Sequence, residues 1–364
     1  MAGAVERADT ESGKAKGTVM QIGIHGGLIA EDVPLYRDLG VTWTKFGVDL
    51  SSETVPDLTA QFDLADSLGI RCVVDLRTTP LYLSECSVKA QQAMEEAGEL
   101  TSAGPDATDE EQRAAILANN QRVHPRAYAK LYEVAAATVD RYRDRCNDWE
   151  FWGECRCPWV SGSVFGDRSQ TYPAILEGFY AAVKAAVPEC RVWIGGNGMD
   201  LQLAFFHACL DQGAGKSFDV CNLHPYFMQI RDRANADRVL KQEYPRLREA
   251  LAEKGTNQPF AATEWGYPTH NIDSLPVESY LRSNVVREGV RQLYWSEAEE
   301  WFEKDLQVME ASGFETVIVH NLRDTEDGSM FWGNFCGLID LQGRKKNVWD
   351  VVQRWAWKGR EAAQ

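Results

Sequence analysis

Residues 58–75 read LTAQFDLADSLGIRCVVD, which places an amphipathic helix, a glycine and a short apolar run in direct succession. Four apolar residues lie at helical spacing and predict one buried helix face. They are Leu58, Phe62, Ala65 and Leu68. Gly69 suits the left-handed residue that ends a helix before the chain turns back. The stretch therefore predicts a helix that leads into a buried strand at residues 71–75, the repeating unit of parallel α/β sheets.

The same order of elements recurs along the chain, where Gly40 and Gly313 also separate a helical pattern from an apolar run. Eight runs are predicted as strands: Val19–His25, Val41–Phe46, Arg71–Asp75, Asp148–Trp152, Arg191–Gly195, Asp219–His224, Pro259–Thr263 and Thr316–His320. Because strands that alternate with helices require parallel crossovers, the sequence predicts an α/β fold, a single-domain (β/α)8 TIM barrel. A doubly wound open sheet is the alternative, but His25-Gly26-Gly27 does not match the dinucleotide-binding fingerprint.

The predicted barrel extends over residues 18–358, between a flexible N-terminus at 1–17 and a tail at 359–364. One insertion, at about residues 80–126, follows the third strand and is predicted to contain helices at Glu85–Glu99 and Asp109–Leu117. Long insertions after barrel strands lie at the catalytic face and often shape the substrate cleft. A helical decoration without a role is equally consistent with the pattern.

Composition excludes several classes of protein. Hydrophobic content of 44% and 12 tryptophans provide for a large core, which excludes a disordered chain. No stretch approaches the roughly 18–20 apolar residues of a membrane span. A net charge of −16 argues against nucleic acid as a partner. Residues 1–17 lack the apolar core of a signal peptide, so we expect a cytoplasmic protein, or a secreted one if a leader was removed.

Two glutamates each end an apolar run. Glu154 closes DWEFWGE at residues 148–154, and Glu264 closes FAATE at 260–264. A carboxylate at the mouth of a buried strand is costly to desolvate unless it is used, and barrel active sites lie at these strand ends. Facing carboxylates of this kind cleave glycosidic bonds. Strand alternation predicts Glu150, Trp152 and Glu154 on one face, with Glu150 as a hydrogen-bonded interior carboxylate.

These segments resemble the clan A glycoside hydrolases, which are retaining glycosidases with a (β/α)8 fold. In that family the acid/base glutamate ends strand four, often as Trp-x-x-Trp-Asn-Glu-Pro, and the nucleophile ends strand seven, often as Thr-Glu-Phe/Trp-Gly. WEFWGE at 149–154 and TEWG at 263–266 are similar to these motifs. NLHPY at 222–226 resembles the end of strand six, where a tyrosine lies against the nucleophile. GLID at 337–340, with Gly343 and Lys346, is similar to the family's closing segment.

The resemblance implies hydrolysis of an O-glycosidic bond by double displacement, with Glu264 as nucleophile, Glu154 as acid/base and a carbohydrate as substrate. It implies no cofactor. One departure concerns Gly153, which stands where the family has an asparagine that binds the sugar 2-hydroxyl. The proline after the motif is also missing, since Cys155 follows Glu154. A non-catalytic carbohydrate-binding barrel with an altered acid/base motif is therefore the alternative.

Other polar and aromatic residues near the strand ends are predicted to bind substrate. They are Tyr226, His224, Trp152, Trp265, Asn197, Lys45, Asn321 and Trp332. Tyr226 is expected to hydrogen-bond Glu264, while Asp75, Arg77 and Arg323 also stand where strands end. The six histidines are scattered, with no His-x-His on the first strand and no His-Glu-x-x-His helix. The sequence therefore predicts no metal site.

Overall fold

The computed structural model describes residues 19–154, 168–196, 199–226, 239–270, 293–325 and 335–363. Its eight-stranded parallel sheet confirms the predicted barrel. The strands are β1 Gln21–His25, β2 Trp43–Asp49, β3 Arg71–Arg77, β4 Asp148–Phe151, β5 Arg191–Ile194, β6 Cys221–Leu223, β7 Phe260–Trp265 and β8 Phe314–Val319. They pair in the order β5-β4-β3-β2-β1-β8-β7-β6. A parallel bridge between Trp193 and Val220 joins the two ends of this order and brings the barrel close to closure.

Helices separate the strands along the chain. They are α1 Val33–Leu39, α2 Thr59–Leu68, α3 Pro80–Glu96, α4 Asp109–Ala127, α5 Ala129–Arg141, α6 Arg168–Ala186, α7 Met199–Asp211, α8 Tyr244–Glu253, α9 Trp295–Ala311 and α10 Val348–Ala362. Gly40 and Gly69 end α1 and α2 in the left-handed conformation, as the sequence predicted. Among the described residues, no helix is both long and apolar enough to cross a bilayer.

Helices α3 and α4 lie in the region of the predicted insertion, and each covers more of the chain than its apolar pattern indicated. Thr79 caps α3, since its hydroxyl accepts a hydrogen bond from the Tyr82 N–H. Thr108 and Glu111 form a reciprocal capping box at the start of α4. Capping residues therefore define where these helices begin, although their faces carry little regular hydrophobic pattern.

Alternation along the strands produces two layers inside the barrel. A lower apolar layer consists of Trp43, Val73, Trp193, Val220, Ala261 and Ile318. Two residues further along, three of the same strands carry buried polar side chains, Lys45, Asp75 and Thr263. Intervening residues such as Val74 and Ala262 point outward and join the main core. The polar layer therefore lies at the carboxyl ends of the strands, above the apolar layer.

The predicted tail at residues 359–364 is wrong in its first part, because α10 continues to Ala362. Gly359 is buried inside this helix, and a Cβ atom there would lie 2.7 Å from the Met20 carbonyl oxygen. The glycine therefore permits close packing of α10 on the chain before β1. It does not mark the end of the helix.

We expect Gly359→Ala to destabilise the protein by about 1–3 kcal/mol, because the added methyl group overpacks against Met20. In an unconstrained helix the same change would stabilise by roughly 0.5–1 kcal/mol. Urea unfolding measures the difference, with the exposed Glu361→Ala as a control that should change stability by less than about 0.5 kcal/mol. A Gly359→Ala protein as stable as the parent would contradict the packing argument.

Candidate active site

An irregularity in β7 turns Glu264 into the barrel. The register with β8 passes from Ala262–Val317 to Trp265–Val319, so β7 uses one residue more than β8 over this interval. Such a bulge re-aims side chains. Thr263 and Glu264 both face the interior and lie 3.4 and 3.2 Å from Lys45 Nζ.

Trp265 is turned outward by the same irregularity. Its ring is fully buried and packs on Phe302 of α9 with the ring centroids 4.6 Å apart. The prediction that Trp265 binds substrate is therefore wrong. The physical reason is that the bulge interrupts alternation, so Thr263 and Glu264 both point inward and the next side chain, Trp265, points outward.

The end of β4 also departs from simple alternation. Trp152 and Glu154 both have left-handed backbones, with φ of 59° and 56°. Trp152 consequently joins the main core beside Phe151 and is only 2% exposed. Trp152 therefore does not share a face with Glu150 and Glu154, contrary to the sequence prediction, and its burial also overturns its predicted substrate contact. The Glu154 N–H donates to the Gly196 carbonyl oxygen at 2.6 Å.

Glu264 is surrounded by hydrogen-bond donors and cations. Its Oε1 lies 3.2 Å from Lys45 Nζ and 3.3 Å from His25 Nε2. Tyr226, expected to lie against Glu264, donates its hydroxyl hydrogen to Oε2 at 3.1 Å. Burial alone would raise the pKa of Glu264, but His224, Lys45 and His25 outweigh it and hold the pKa well below its usual range. Glu264 is therefore ionised at neutral pH.

His224 lies between the two glutamates. Its Nδ1 is 3.3 Å from Glu154 Oε1 and 3.6 Å from Glu264 Oε2, while Nε2 is 3.0 Å from Thr263 Oγ1. Burial lowers the pKa of His224, but Glu264 and Glu154 more than offset this effect and raise the pKa above its ordinary value. The side chain is fully buried and bridges the two glutamates, and its contact with substrate stays a prediction.

One side-chain nitrogen or oxygen atom from each of three residues, Glu154, His224 and Glu264, lies within 4.8 Å of the other two. The two carboxylates therefore face each other across the barrel mouth. The atom types would also suit a divalent cation. However, the Lys45 ammonium and His25 already contact Glu264, and a dication beside that ammonium would be repelled. The surroundings favour proton transfer over metal binding.

Lys45 connects Glu264 to two further buried carboxyl groups. Its Nζ lies 3.1 Å from Glu150 Oε2 and 4.0 Å from Asp75 Oδ2. Burial lowers the pKa of Lys45, but Glu150 and Glu264 raise it by more, so the ammonium stays charged. Burial and Glu150 raise the pKa of Asp75, against the opposing effect of Lys45. Lys45 is only 1% exposed and contacts Glu264, and its own contact with substrate stays a prediction.

The surroundings of position 153 explain why the residue there is a glycine. Its N–H donates to Asp75 Oδ1 at 3.1 Å. A Cβ atom at this position would lie 3.0 Å from both Asp75 Oδ2 and Glu150 Oε1. A side chain at position 153 would therefore crowd these buried carboxyl groups, whereas a glycine does not.

Two histidines on the β1 and β8 side of the site were missed by the sequence analysis. His25 Nδ1 lies 3.0 Å from Asn321 Oδ1 and 3.1 Å from His320 Nδ1. Burial and His25 lower the pKa of His320 to about 3, so His320 is neutral. Asn321 is thus one contact removed from Glu264. The signal was present, because His25 and His320 both stand at strand ends.

The remaining predicted residues lie elsewhere. Arg323 forms an ion pair with Asp32 at 2.7 Å and does not join the glutamates. Arg77 lies 3.9 Å from Asp75 at the edge of the polar layer. Asn197 and Trp332 lie outside the described residues.

No protein-family model matches the chain, and no curated protein matches it. Its fold is similar to that of a family 39 glycoside hydrolase from Bacteroides cellulosilyticus WH2, with a TM-score of 0.62 and 15% identity over 93% of this chain and 63% of that one. A glucosidase from Croceicoccus marinus has a TM-score of 0.54, with 12% identity over 94% of this chain and 68% of that one. An exo-β-1,4-mannosidase from Opitutaceae bacterium strain TAV5 has a TM-score of 0.55, with 12% identity over 94% and 60%. At this identity the likeness shows the fold alone.

We expect Lys45→Met to destabilise the protein by about 3–5 kcal/mol at neutral pH, because it leaves buried carboxylates without their cation. Folding raises the pKa of Asp75, so its ionisation destabilises the folded state increasingly as the pH rises through that value. The stability lost in Lys45→Met should therefore be smaller at acidic pH than at neutral pH. Urea unfolding at several pH values measures it.

The control for this prediction is Lys304→Met, which removes an exposed ion pair with Glu300 and should cost at most about 1 kcal/mol. An equal effect of the two substitutions would contradict the role of Lys45 as the shared cation.

Proposed function

We propose that this protein is a retaining glycoside hydrolase, with Glu264 as nucleophile and Glu154 as general acid/base. The observation that carries the proposal is the facing pair of carboxylates, which have oxygens within 4.8 Å of each other. One oxygen of each carboxyl group within 4.8 Å of the other is compatible with the roughly 5–5.5 Å between the carboxyl groups of retaining enzymes, and fits less well with the roughly 6.5–9.5 Å of inverting ones.

The different surroundings of the two glutamates support different roles. Glu264 is contacted by Lys45, His25 and Tyr226, which stabilise its anionic form. An ionised carboxylate is the form that attacks an anomeric carbon. Glu154 contacts His224, and a quarter of its side chain is exposed, which gives it access to a leaving group and to water. Two carboxyl groups with unequal environments are the usual basis of an acid and nucleophile pair.

In the proposed reaction, Glu264 attacks the anomeric carbon while Glu154 transfers its proton to the leaving oxygen. This step breaks the glycosidic bond and forms a covalent glycosyl ester on Glu264. Glu154, now ionised, then removes a proton from water, which attacks the anomeric carbon and releases the sugar and the Glu264 carboxylate. The two inversions retain the anomeric configuration, and no cofactor takes part.

The similar solved structures agree with a carbohydrate substrate, since those named above are a family 39 glycoside hydrolase, a glucosidase and a mannosidase. The chain spans only 60–68% of their lengths, so their activities are a guide to the class of reaction alone. A non-catalytic sugar-binding barrel is the alternative that Gly153 suggested. Because Asp75 and Glu150 account for Gly153 structurally, that glycine does not require a loss of turnover.

We expect Glu264→Gln to abolish hydrolysis of an active aryl glycoside, because an amide cannot form the glycosyl ester. Glu154→Gln should lower turnover by roughly 10²–10⁴-fold, since it removes proton transfer. A panel of aryl glycosides measures the rates, and NMR of the first product tests retention. The exposed Glu361→Gln is the matched control and should behave as the parent. Parental activity in both site variants would refute the assignment, while an inert parent that melts higher with a sugar would favour the binding alternative.

We also expect exhaustive treatment with a chelator to leave the hydrolysis rate unchanged. The reason is that the Lys45 ammonium, 3.2 Å from Glu264 Oε1, already supplies a positive charge in the site. Rates before and after chelation, with Zn²⁺ and Mn²⁺ added back, measure this. An activity that disappears on chelation and returns with one metal would identify Glu154, His224 and Glu264 as metal ligands instead.

A further inference from the structure

Asp75 is a buried carboxyl group to which the proposed reaction gives no role. It contacts neither glutamate directly, but it is linked to both. Its Oδ1 accepts the N–H of Gly153, the residue before Glu154, at 3.1 Å. Its Oδ2 lies 4.0 Å from the Nζ of Lys45, the cation that contacts Glu264.

We propose that Asp75 is a positioning residue for the acid/base, acting through the Gly153 peptide, and that it replaces a side chain at position 153 in holding that turn. The inference rests on the proposed function, because it assigns the acid/base role to Glu154. It goes further in naming the residue that directs this glutamate.

The turn that carries Glu154 requires external support. Trp152 and Glu154 adopt left-handed backbones, each unfavourable by roughly 1–2 kcal/mol for a non-glycine residue. Within the described part of the chain, each backbone N–H of residues 152–154 has a hydrogen-bond acceptor. The Trp152 N–H donates to the Leu76 carbonyl oxygen at 3.1 Å, the Gly153 N–H to Asp75, and the Glu154 N–H to the Gly196 carbonyl oxygen at 2.6 Å. Asp75 supplies the only one of these acceptors that belongs to a side chain.

The fit between Asp75 and Gly153 is close. A Cβ atom on Gly153 would approach Asp75 Oδ2 and Glu150 Oε1 to 3.0 Å, which is tighter than ordinary contact. Asp75 and Glu150 are also direct partners in the register of β3 and β4. The paired strands β3 and β4 therefore fix the position of the Gly153 peptide. Because Glu154 is the next residue, they also fix where its backbone begins.

The charged groups around Asp75 restrain it in turn. They are Lys45 on β2, Arg77 on β3 and Glu150 on β4. Lys45 Nζ at 4.0 Å and Arg77 Nη1 at 3.9 Å both face Oδ2, while Oδ1 accepts the Gly153 N–H. Asparagine at this position would keep an oxygen for the Gly153 N–H, whereas alanine would not. This difference separates positioning from a general effect of burial.

The test compares Asp75→Ala and Asp75→Asn on glycosides with leaving groups of graded basicity. A misplaced acid matters most when the leaving oxygen needs protonation. Asp75→Ala should therefore lose roughly 10–100-fold in kcat/KM on alkyl glycosides and less than about 3-fold in kcat/KM on a dinitrophenyl glycoside, because kcat/KM reports the step in which the leaving oxygen departs. Asp75→Asn should retain most of the parental rate on both. Equal losses across the series, or equal losses in the two variants, would overturn the proposal.

Two further variants test whether poor folding of Asp75→Ala, or the loss of any buried carboxyl group, could explain the result. Gly153→Ala moves the turn from the other side, so it should reproduce the dependence on leaving group even if Asp75→Ala folds poorly. Asp148→Asn alters a carboxyl that is as buried as Asp75 but lies at the other end of β4, where it pairs with Arg71. Any loss in Asp148→Asn should be the same for all leaving groups, and a leaving-group dependence there would overturn the proposal.

Hydrogen exchange distinguishes failure of this proposal from failure of the proposed function. If the parent hydrolyses no glycoside, the proposed function fails. Amide exchange of the folded protein can still be measured, and it is read from a proteolytic peptide that covers residues 148–154. The Gly153 amide should exchange at least about tenfold faster in Asp75→Ala than in the parent, and close to the parental rate in Asp75→Asn. Unchanged exchange in Asp75→Ala would overturn the role of Asp75.

Discussion

The ammonium group of Lys45 is the centre on which the rest of the site depends. A buried lysine is tolerated only when its charge is compensated, since desolvation costs several kcal/mol per ion. Here Glu150, Glu264 and Asp75 lie within 3.1–4.0 Å of the same nitrogen. Four different strands must therefore deliver these groups to one level of the barrel. The register does so, because Asp75 and Glu150 are direct partners on β3 and β4.

The apolar layer below explains why this arrangement is rigid. Trp43 and Trp193 meet inside the barrel with ring centroids 5.9 Å apart, two residues before the polar layer on β2. A close-packed plug of this kind cannot shift without opening cavities. The carboxylates above it are consequently held at fixed separations. Fixed charges of this kind stabilise a transition state without having to reorganise.

Sequence reasoning succeeded where periodicity sufficed. Helix, glycine and strand follow one another at Gly40, Gly69 and Gly313, and apolar runs mark the other five strands, so the sequence predicts all eight strands of the barrel sheet. It failed where the backbone leaves regular conformations. The side chains of Trp152 and Trp265 were predicted to face substrate, yet left-handed residues at 152 and 154 and an extra residue in β7 turn both into the core. A pattern with period two contains no information about such local departures. His25 was missed because its segment was compared only with a nucleotide-binding loop.

Glu154 and Glu264 are chemically identical side chains, and their surroundings make them different. Glu264 is held between an ammonium, a histidine and a tyrosine hydroxyl, whereas Glu154 meets His224 and solvent. His224 contacts both, so a change of charge on one glutamate is felt by the other through a fully buried ring. The glycine at position 153 is related to the same group of charges. The asparagine expected there would have to occupy space beside Asp75 and Glu150, and those carboxyl groups are the partners of Lys45. The carboxyl groups that hold Lys45 beside Glu264 thus stand where a Cβ atom on residue 153 would make tight contacts.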